Sequence, residues 1–216
     1  MKRITMMLCI AAGLFACKSS EKKSEEPKNE ETKVAAAATT EPAVDNIPDS
    51  VKNKNWKDYM TPGKEHQMLA SWDGKWTGNV SMWMVPNTPP SMSTMSCENK
   101  MIFNGLYQQS SYSGNMNGMP FEGQSTVAFD KHKKMFISTW IDNMGSGIME
   151  STGTWDDASK SITFRGKMVD PATGRDMDFR EVFKVVDDNN QIMEMYGPAP
   201  DGKEFKTMEI RLTRNK

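Results

Sequence analysis

The sequence predicts an all-β fold: a single antiparallel meander closing into a β-barrel, with one short helix before the first strand and a disordered N-terminal tether. Apolar and polar residues alternate in several runs, turn-forming clusters separate these runs, and the composition changes near Trp56. Such alternation gives each strand one face for a core and one for water. About eight to ten strands in a meander favour a closed barrel, since closure removes exposed edges.

The first 16 residues have the pattern of a secretory signal peptide. Lys2 and Arg3 precede an uncharged, mostly apolar run that is too short to span a bilayer. The run ends in Leu14-Phe15-Ala16-Cys17, which resembles the lipobox of bacterial lipoproteins. The resemblance implies lipidation of Cys17 and, because Lys18 rather than Asp follows, attachment to the outer membrane. The alternative is ordinary secretion with an unmodified Cys17.

Residues 17–55 are predicted to be a lipidated cysteine followed by a linker. As far as Asp49 this segment is rich in Glu, Lys, Ser, Ala, Thr and Pro and contains no aromatic residue. It cannot bury enough apolar area to offset the entropy of ordering, so we expect disorder. Residues 56–216 then have the length of one domain with one core, which we predict to be the barrel.

The composition argues against several partners and cofactors. The chain has 27 basic and 28 acidic residues and a net charge of −1, with no basic patch, so no nucleic acid partner is predicted. Cys97 is the lone cysteine of the predicted domain, in an alternating stretch that favours a buried thiol. No Cys-x-x-Cys pair is present. We therefore predict neither a cofactor nor a metal site.

One helix is predicted immediately before the first strand. Pro62 suits a helix start, and Gly74 marks its end. Between them, Met68, Leu69 and Trp72 fall on one face. This helix should therefore pack one apolar side against the barrel.

The strands are predicted from runs in which apolar residues occupy every second position. The clearest inward-facing sets are Phe121, Val127 and Phe129; Met177, Phe179, Phe183 and Val185; and Met208, Ile210 and Leu212. Turn clusters rich in Asp, Asn, Gly and Lys lie between such runs at residues 130–133, 143–147, 156–159, 170–174, 187–190 and 201–202. Their spacing is typical of successive hairpins.

Two resemblances refine this prediction. Gly74-Lys75-Trp76 after a helix, with Arg214 ending the last strand, resembles the G-x-W start and closing arginine of lipocalin-like barrels. That resemblance implies that Arg214 covers Trp76 at the closed end. Further motifs resemble the bacterial family called domain of unknown function 1579, at residues 62–66, 73–78, 118–123, 138–142, 179–182 and 201–210. This second resemblance implies a single calycin-like barrel, often exported, and brings no established activity.

The case for an enzyme is the weakest. The domain has two histidines: His66, expected to cap the helix or face solvent, and His132, in a lysine-rich turn. Common hydrolase and nucleotide-binding motifs are missing. Glu181, Glu194 and Asp142 are the candidate acidic groups. Glu181 and Glu194 interrupt apolar runs, and they either line a ligand cavity or face water on a twisted strand.

Methionine is the most unusual feature of the composition, with 20 in all. Methionine fills irregular space, and we expect most of these residues to form a core or a pliable cavity wall. The alternative is a copper(I) site, since thioethers favour that ion. Its candidates are the pairs Met92/Met95 and Met116/Met119.

The sequence thus predicts a lipid-anchored envelope protein whose barrel binds a small apolar or amphipathic ligand. Its membrane contact would be the lipid on Cys17. The candidate ligand-binding residues are Trp76, Trp140, Glu181, Glu194, Tyr196 and Arg214. The alternative is a non-catalytic envelope interaction module with a packed barrel. Alternation is the same in a filled and a hollow barrel, so it leaves both open.

Overall fold

The computed structural model describes residues 46–116 and 118–216. The predicted signal peptide, Cys17 and the predicted linker as far as residue 45 lie outside these residues. Two helices precede ten strands: α1 (Asp49–Tyr59), α2 (Lys64–Ser71), β1 (Gly74–Met82), β2 (Ser91–Ile102), β3 (Tyr107–Met116), β4 (Met119–Asp130), β5 (Met135–Asp142), β6 (Met149–Asp156), β7 (Ser161–Asp170), β8 (Arg175–Asp187), β9 (Asn190–Pro198) and β10 (Glu204–Arg214). A short 3-10 turn, Phe103–Gly105, joins β2 to β3.

The ten strands form one closed barrel, as the alternating runs predict. Each strand pairs antiparallel with its neighbours in sequence, and β1 pairs with β10 to complete the ring. In this closing pair of strands, Trp76 lies opposite Arg214 at one end and Met82 lies opposite Met208 at the other. The predicted all-β meander is therefore confirmed.

Alternation along each strand sends one set of side chains inward. In β1, Trp76, Gly78 and Val80 are buried, whereas Lys75 and Thr77 are exposed. The alternation shifts in β10 at a bulge between Lys206 and Met208. The inward side chains form two apolar clusters, one centred on Trp76, Val80, Met95, Cys97, Phe121, Ile210 and Leu212, and one on Leu69, Trp72, Phe136, Ile162 and Phe164.

Helix α2 covers the end of the barrel where β1 begins. Its residue Leu69 is fully buried, and Trp72, which follows the helix, is 6% exposed. Both pack against Phe136, Ile162 and Phe164 inside the barrel. The helix begins at Lys64, two residues after Pro62, and the His66 ring caps its first turn by accepting a hydrogen bond from the Gly63 amide at 3.0 Å. Capping is one of the two roles predicted for His66. We call this end of the barrel the closed end.

The carbonyl groups at the end of α2 are hydrogen-bonded by side chains of the barrel. Gln108 donates to the Leu69 carbonyl at 2.6 Å. Asn99 and Trp76 both donate to the Trp72 carbonyl at 3.1 Å. Helix ends leave such acceptors without partners inside the helix, so these bonds stabilise the closed end where water is excluded.

Helix α1 was not predicted, and it begins within the segment that the sequence assigned to the linker. None of its residues is buried, so its sequence lacks the apolar stripe from which a packed helix can be predicted. It lies against the β4–β5 turn, where Tyr59 stacks on His132 with ring centroids 5.0 Å apart and Lys131 donates to the Thr61 carbonyl at 3.0 Å. Among the described residues, no helix is long and apolar enough to cross a membrane.

Candidate functional site

A cavity of about 380 Å³ lies inside the barrel, between the closed end and the opposite end. Leu69 and Trp72 form its floor at the closed end, and Asp142 and Met144 lie where β5 leaves the barrel at the opposite end. We call that opposite end the mouth. The volume falls in the range of small-molecule sites in proteins, and most of the lining is apolar.

Methionine dominates the cavity wall. Nine methionines from seven strands and one loop line it: Met82, Met95, Met116, Met144, Met149, Met168, Met193, Met195 and Met208. Unbranched thioether side chains change rotamer readily and pack against apolar surfaces of different shape. Nine of the 17 methionines within residues 46–216 thus lie on this wall, as expected for a pliable cavity.

The two methionine pairs considered for copper(I) differ in their placement. Met95 is 6% exposed and lines the cavity, whereas Met92 is 67% exposed. Met116 also lines the cavity, and Met119 is 51% exposed. Met92 and Met95 are three apart on β2 and point to opposite faces, so they cannot share an ion. Met116 and Met119 are instead cross-strand partners in the β3–β4 hairpin. The copper(I) alternative is therefore wrong for Met92 and Met95, and for Met116 and Met119 it stays a prediction.

An aromatic group lies on one side of the cavity around Trp140. Its ring lies edge-on to Tyr112 with centroids 5.2 Å apart and is stacked near Phe121 at 6.3 Å. The Trp140 indole passes over Gly123, where a Cβ would lie 2.6 Å from the ring. Asp142 fixes the indole by accepting its N–H at 2.6 Å. Trp140 is therefore held as an apolar wall with its polar edge already paired.

Glu181 is the candidate residue that the structure places inside the cavity without a partner. It lies on β8 between Phe179 and Phe183, and its cross-strand neighbours are Phe164 and Met195. Burial raises the pKa of its carboxyl to about 7, and no hydrogen bond or ion pair among the described residues offsets that burial. A carboxyl without a protein partner in a largely apolar cavity is typical of a functional position.

Glu194 and Tyr196 face away from the cavity. Their neighbours along β9, Met193 and Met195, line it instead. The Glu194 carboxylate accepts hydrogen bonds from Tyr196 and Lys206, both at 3.0 Å, on the outer surface. These contacts give Glu194 an external structural role, and they separate it from Glu181 and Asp142, with which it was grouped as a candidate acid.

Further charges extend this outer-surface group. The Arg180 guanidinium lies 3.7 Å from the Tyr196 ring centroid and donates to Glu204 at 2.6 Å. Lys206 also pairs with Glu209, and Arg211 pairs with Glu209 at 2.7 Å. Opposite charges are thus matched across β8, β9 and β10, which fits a stabilising surface network.

Trp76 and Arg214 lie at the closed end rather than around the cavity. Trp76 is fully buried, and the Arg214 guanidinium lies 4.2 Å from its ring centroid. Arg214 also donates to the carbonyls of Ser71, at 2.8 Å, and Asp73. This geometry matches the covering role that the lipocalin-like resemblance implies for the arginine.

Several cavity residues were missed by the sequence analysis. Asn99, Gln108 and Ser110 face inward and are buried, although all three are polar. Gln108 and Asn99 bond the end of α2, so their burial depends on a helix distant in sequence. In β3 both faces are polar near Gln108, so alternation carries no signal there.

The thiol and metal chemistry of the site is limited. Cys97 is 2% exposed, and burial raises the pKa of its thiol to about 12, so the thiol stays protonated and unreactive near neutral pH. The predicted buried thiol is confirmed. Among residues 46–116 and 118–216, no group of three or more His, Cys, Asp or Glu side chains could hold a metal ion.

A closed antiparallel barrel with a helix over one end and an apolar cavity inside is a calycin-like barrel. The chain belongs to the family described as "Protein of unknown function (DUF1579)", whose profile matches residues 61–214. This match confirms the family resemblance noted in the sequence. No curated protein matches the chain.

Two solved structures share the fold at low sequence identity. Rv2717c from M. tuberculosis is 12% identical with a TM-score of 0.53, over 72% of this chain and 100% of its own. The S-type phycobiliprotein lyase CPES from Guillardia theta is 10% identical with a TM-score of 0.50, over 74% of this chain and 97% of its own. Both likenesses concern the fold alone.

Proposed function

We propose that the protein is a lipid-anchored envelope protein whose barrel binds a small apolar or amphipathic molecule. The observation that carries the binding role is the cavity of about 380 Å³ with its methionine and aromatic wall. A packed interaction module would fill this space with side chains. An apolar guest would be stabilised by about 25 cal/mol for each Å² of apolar surface that it removes from water.

The nature of the wall favours a guest with an apolar chain rather than a rigid polar one. Trp140, Phe121 and Tyr112 offer flat surfaces, and the methionines can adjust around them. The indole N–H of Trp140 is already paired with Asp142, so it offers the guest apolar surface rather than a hydrogen bond. Recognition should therefore depend first on apolar area.

The anchoring part of the proposal depends on the sequence. The apolar run ending at Cys17 has the dimensions of a secretory signal, and the residues before Cys17 resemble a lipobox. Lipid on Cys17 and the absence of Asp at position 18 favour the outer membrane as the location. A tethered barrel would then meet its guest close to the membrane.

A cavity-filling variant tests the binding role. Ser138 lines the cavity on β5, and Thr139 follows it on the outward-facing position of the same strand. Ser138→Phe should fill the cavity and weaken binding of decanol to the full chain by at least about tenfold, whereas Thr139→Phe should leave binding unchanged. Isothermal titration calorimetry measures both, and circular dichroism checks that both variants fold.

Two outcomes contradict the proposal. Decanol binding that is equal in the parent protein and in folded Ser138→Phe places the ligand outside the barrel. Failure of the parent protein to bind decanol, decylamine or decanoate removes the support for an amphiphile site altogether.

A further inference from the structure

The described side chains that line the cavity include acidic groups and no basic ones. Among the described residues that line it, Glu181 and Asp142 carry carboxyl groups, whereas no lysine, arginine or histidine lines it. The basic side chains of the neighbouring strands, such as Arg180 and Lys206, pair with acids on the outer surface. A guest therefore meets acidic groups and no basic side chain.

The two carboxyl groups are not equivalent. Asp142 at the mouth accepts the Trp140 indole N–H at 2.6 Å and the Met144 amide at 2.9 Å, so both of its oxygens are engaged. Glu181 lies deeper, among phenylalanines and Met195, and no protein group among the described residues pairs with it. Of the two carboxyl groups, Glu181 is thus the one still free to bind a guest.

We infer that the cavity selects amphiphiles whose polar end carries a primary amine, with Glu181 as the residue that binds that end. This inference rests on the proposed function, since it specifies the guest of the same cavity. The apolar chain would lie along the methionine wall, and the ammonium group would donate hydrogen bonds to the Glu181 carboxylate. Such charge-assisted hydrogen bonds are about twice as strong as neutral ones.

The same arrangement disfavours a fatty acid. A carboxylate guest would bring a second negative charge beside Glu181 in a region of low dielectric, with no cation among the lining residues to pair it. A neutral alcohol avoids the repulsion but forms only a neutral or singly charged hydrogen bond. The expected order of affinity at pH 8 is therefore decylamine, then decanol, then decanoate.

The protonation state of Glu181 should make the preference for an amine depend on pH. Its pKa is raised to about 7 by burial, so the carboxylate forms as the pH rises from 6 to 8, while an alkylamine stays cationic over that range. The other titratable cavity residues are Tyr112, whose pKa burial raises well above its usual range, and Asp142. Tyr112 stays neutral over this range. Preference for the amine should therefore grow with pH through Glu181.

The test compares three ligands with the same chain length on the full-length protein. Decylamine, decanol and decanoate are titrated by calorimetry at pH 6 and pH 8 into the parent protein, Glu181→Gln and Glu150→Gln. Glu150 lies on the exposed outer face of β6, so its variant removes the same charge away from the cavity. Glu181→Gln keeps the shape of the side chain and should fold.

The parent protein and Glu150→Gln should bind decylamine at least about tenfold more tightly than decanol at pH 8, with a smaller ratio at pH 6. Glu181→Gln should still bind decanol but lose the amine preference and its pH dependence. Equal affinities for the three ligands, preference for decanoate, or an amine preference that survives Glu181→Gln would overturn this inference and leave the apolar binding role intact. Binding of none of the three would overturn both proposals.

Discussion

Glu181 shows how a single residue can be unfavourable for folding and still suit a binding site. Its carboxyl lies among Phe164, Phe179 and Phe183, and burial raises its pKa to about 7 from an ordinary 4.5. An ionised carboxylate there is less well solvated than in bulk water. A side chain kept in so costly a place is better explained by a guest than by packing.

Replacing Glu181 by glutamine should stabilise the protein at high pH. The raised pKa means that the folded protein holds the proton more tightly, so stability is full below pH 4.5 and falls as the pH rises through 7. Glu181→Gln should therefore gain about 1 to 3 kcal/mol over the parent at pH 8, after allowing for water in the cavity, and little at pH 4. Urea unfolding of the ligand-free full chain at both pH values measures this.

The matched control is again Glu150→Gln, which changes an exposed side chain. Its effect on the free energy of unfolding should stay within about 0.5 kcal/mol at both pH values. A Glu181→Gln variant that is no more stable than the parent at pH 8 would show that the carboxyl is well solvated or paired.

The sequence could place Glu181 more readily than Glu194. Phe179 and Phe183 lie on one face of β8, and Arg180 and Lys184 lie on the other. The sequence therefore shows which face points into the barrel. In β9 both faces carry apolar residues, because Ile192 and Tyr196 alternate with Met193 and Met195. Periodicity cannot choose between two apolar faces, and only the pairing with β8 and β10 decides it.

At the scale of elements, the closed end depends on contacts between helix α2 and the ends of the strands. Arg214 at the end of β10 covers Trp76 and donates to carbonyls that follow or end the helix. It also donates to the Asp188 carbonyl in the β8–β9 turn, at 3.0 Å. One side chain of β10 thus links the helix, β1 and the β8–β9 turn.

Removing Arg214 should loosen this end. Arg214→Ala loses the stacking on Trp76 and hydrogen bonds to the carbonyls of Ser71, Asp73 and Asp188, at a cost of about 1 to 3 kcal/mol in the free energy of unfolding. Urea unfolding of the full chain measures the change. Arg211→Ala is the control, because Arg211 is largely exposed on the same strand and its partner Glu209 keeps its ion pair with Lys206, so the loss should cost less than about 1 kcal/mol. Equal costs for the two variants would contradict the closing role of Arg214.

Helices and strands whose apolar residues recur at a regular spacing could be predicted from the sequence, and the others could not. The apolar residues Leu69 and Trp72, on and just after α2, predicted a packed helix that the structure contains. The alternating residues of β4, β8 and β10 likewise predicted strands that it contains. Helix α1 has no buried side chain, so no apolar stripe announces it. The inward orientation of Gln108 depends on its hydrogen bond to the Leu69 carbonyl at the end of α2. No local sequence pattern predicts that bond.

At the scale of the whole molecule, the anchoring proposal makes a separate prediction. Cys17→Ser should abolish labelling of the protein by radioactive palmitate and release it from the membrane fraction, because the acylated thiol is lost. Cys9→Ser changes a cysteine inside the predicted signal and should leave labelling and fractionation unchanged. Palmitate labelling that persists in Cys17→Ser would contradict lipidation at this residue.

The cavity itself is a property of the whole barrel, and the sequence could not reveal it. Inward positions such as Met95, Phe121 and Met193 look alike in a filled and a hollow barrel, since alternation reports the face and not the space beyond it. Whether opposing side chains meet depends on the number of strands and their stagger. Ten strands closing around these residues leave about 380 Å³ unfilled.

The most direct test of the central claim is native mass spectrometry of the full chain purified from the envelope of the cells that make it. We expect a reproducible added mass, different from that of the detergent, that disappears on denaturation and is absent from folded Ser138→Phe. The identity of the released molecule would show whether it carries an amine. A bare protein mass that persists after incubation with a lipid extract of the same cells would contradict a ligand-binding barrel.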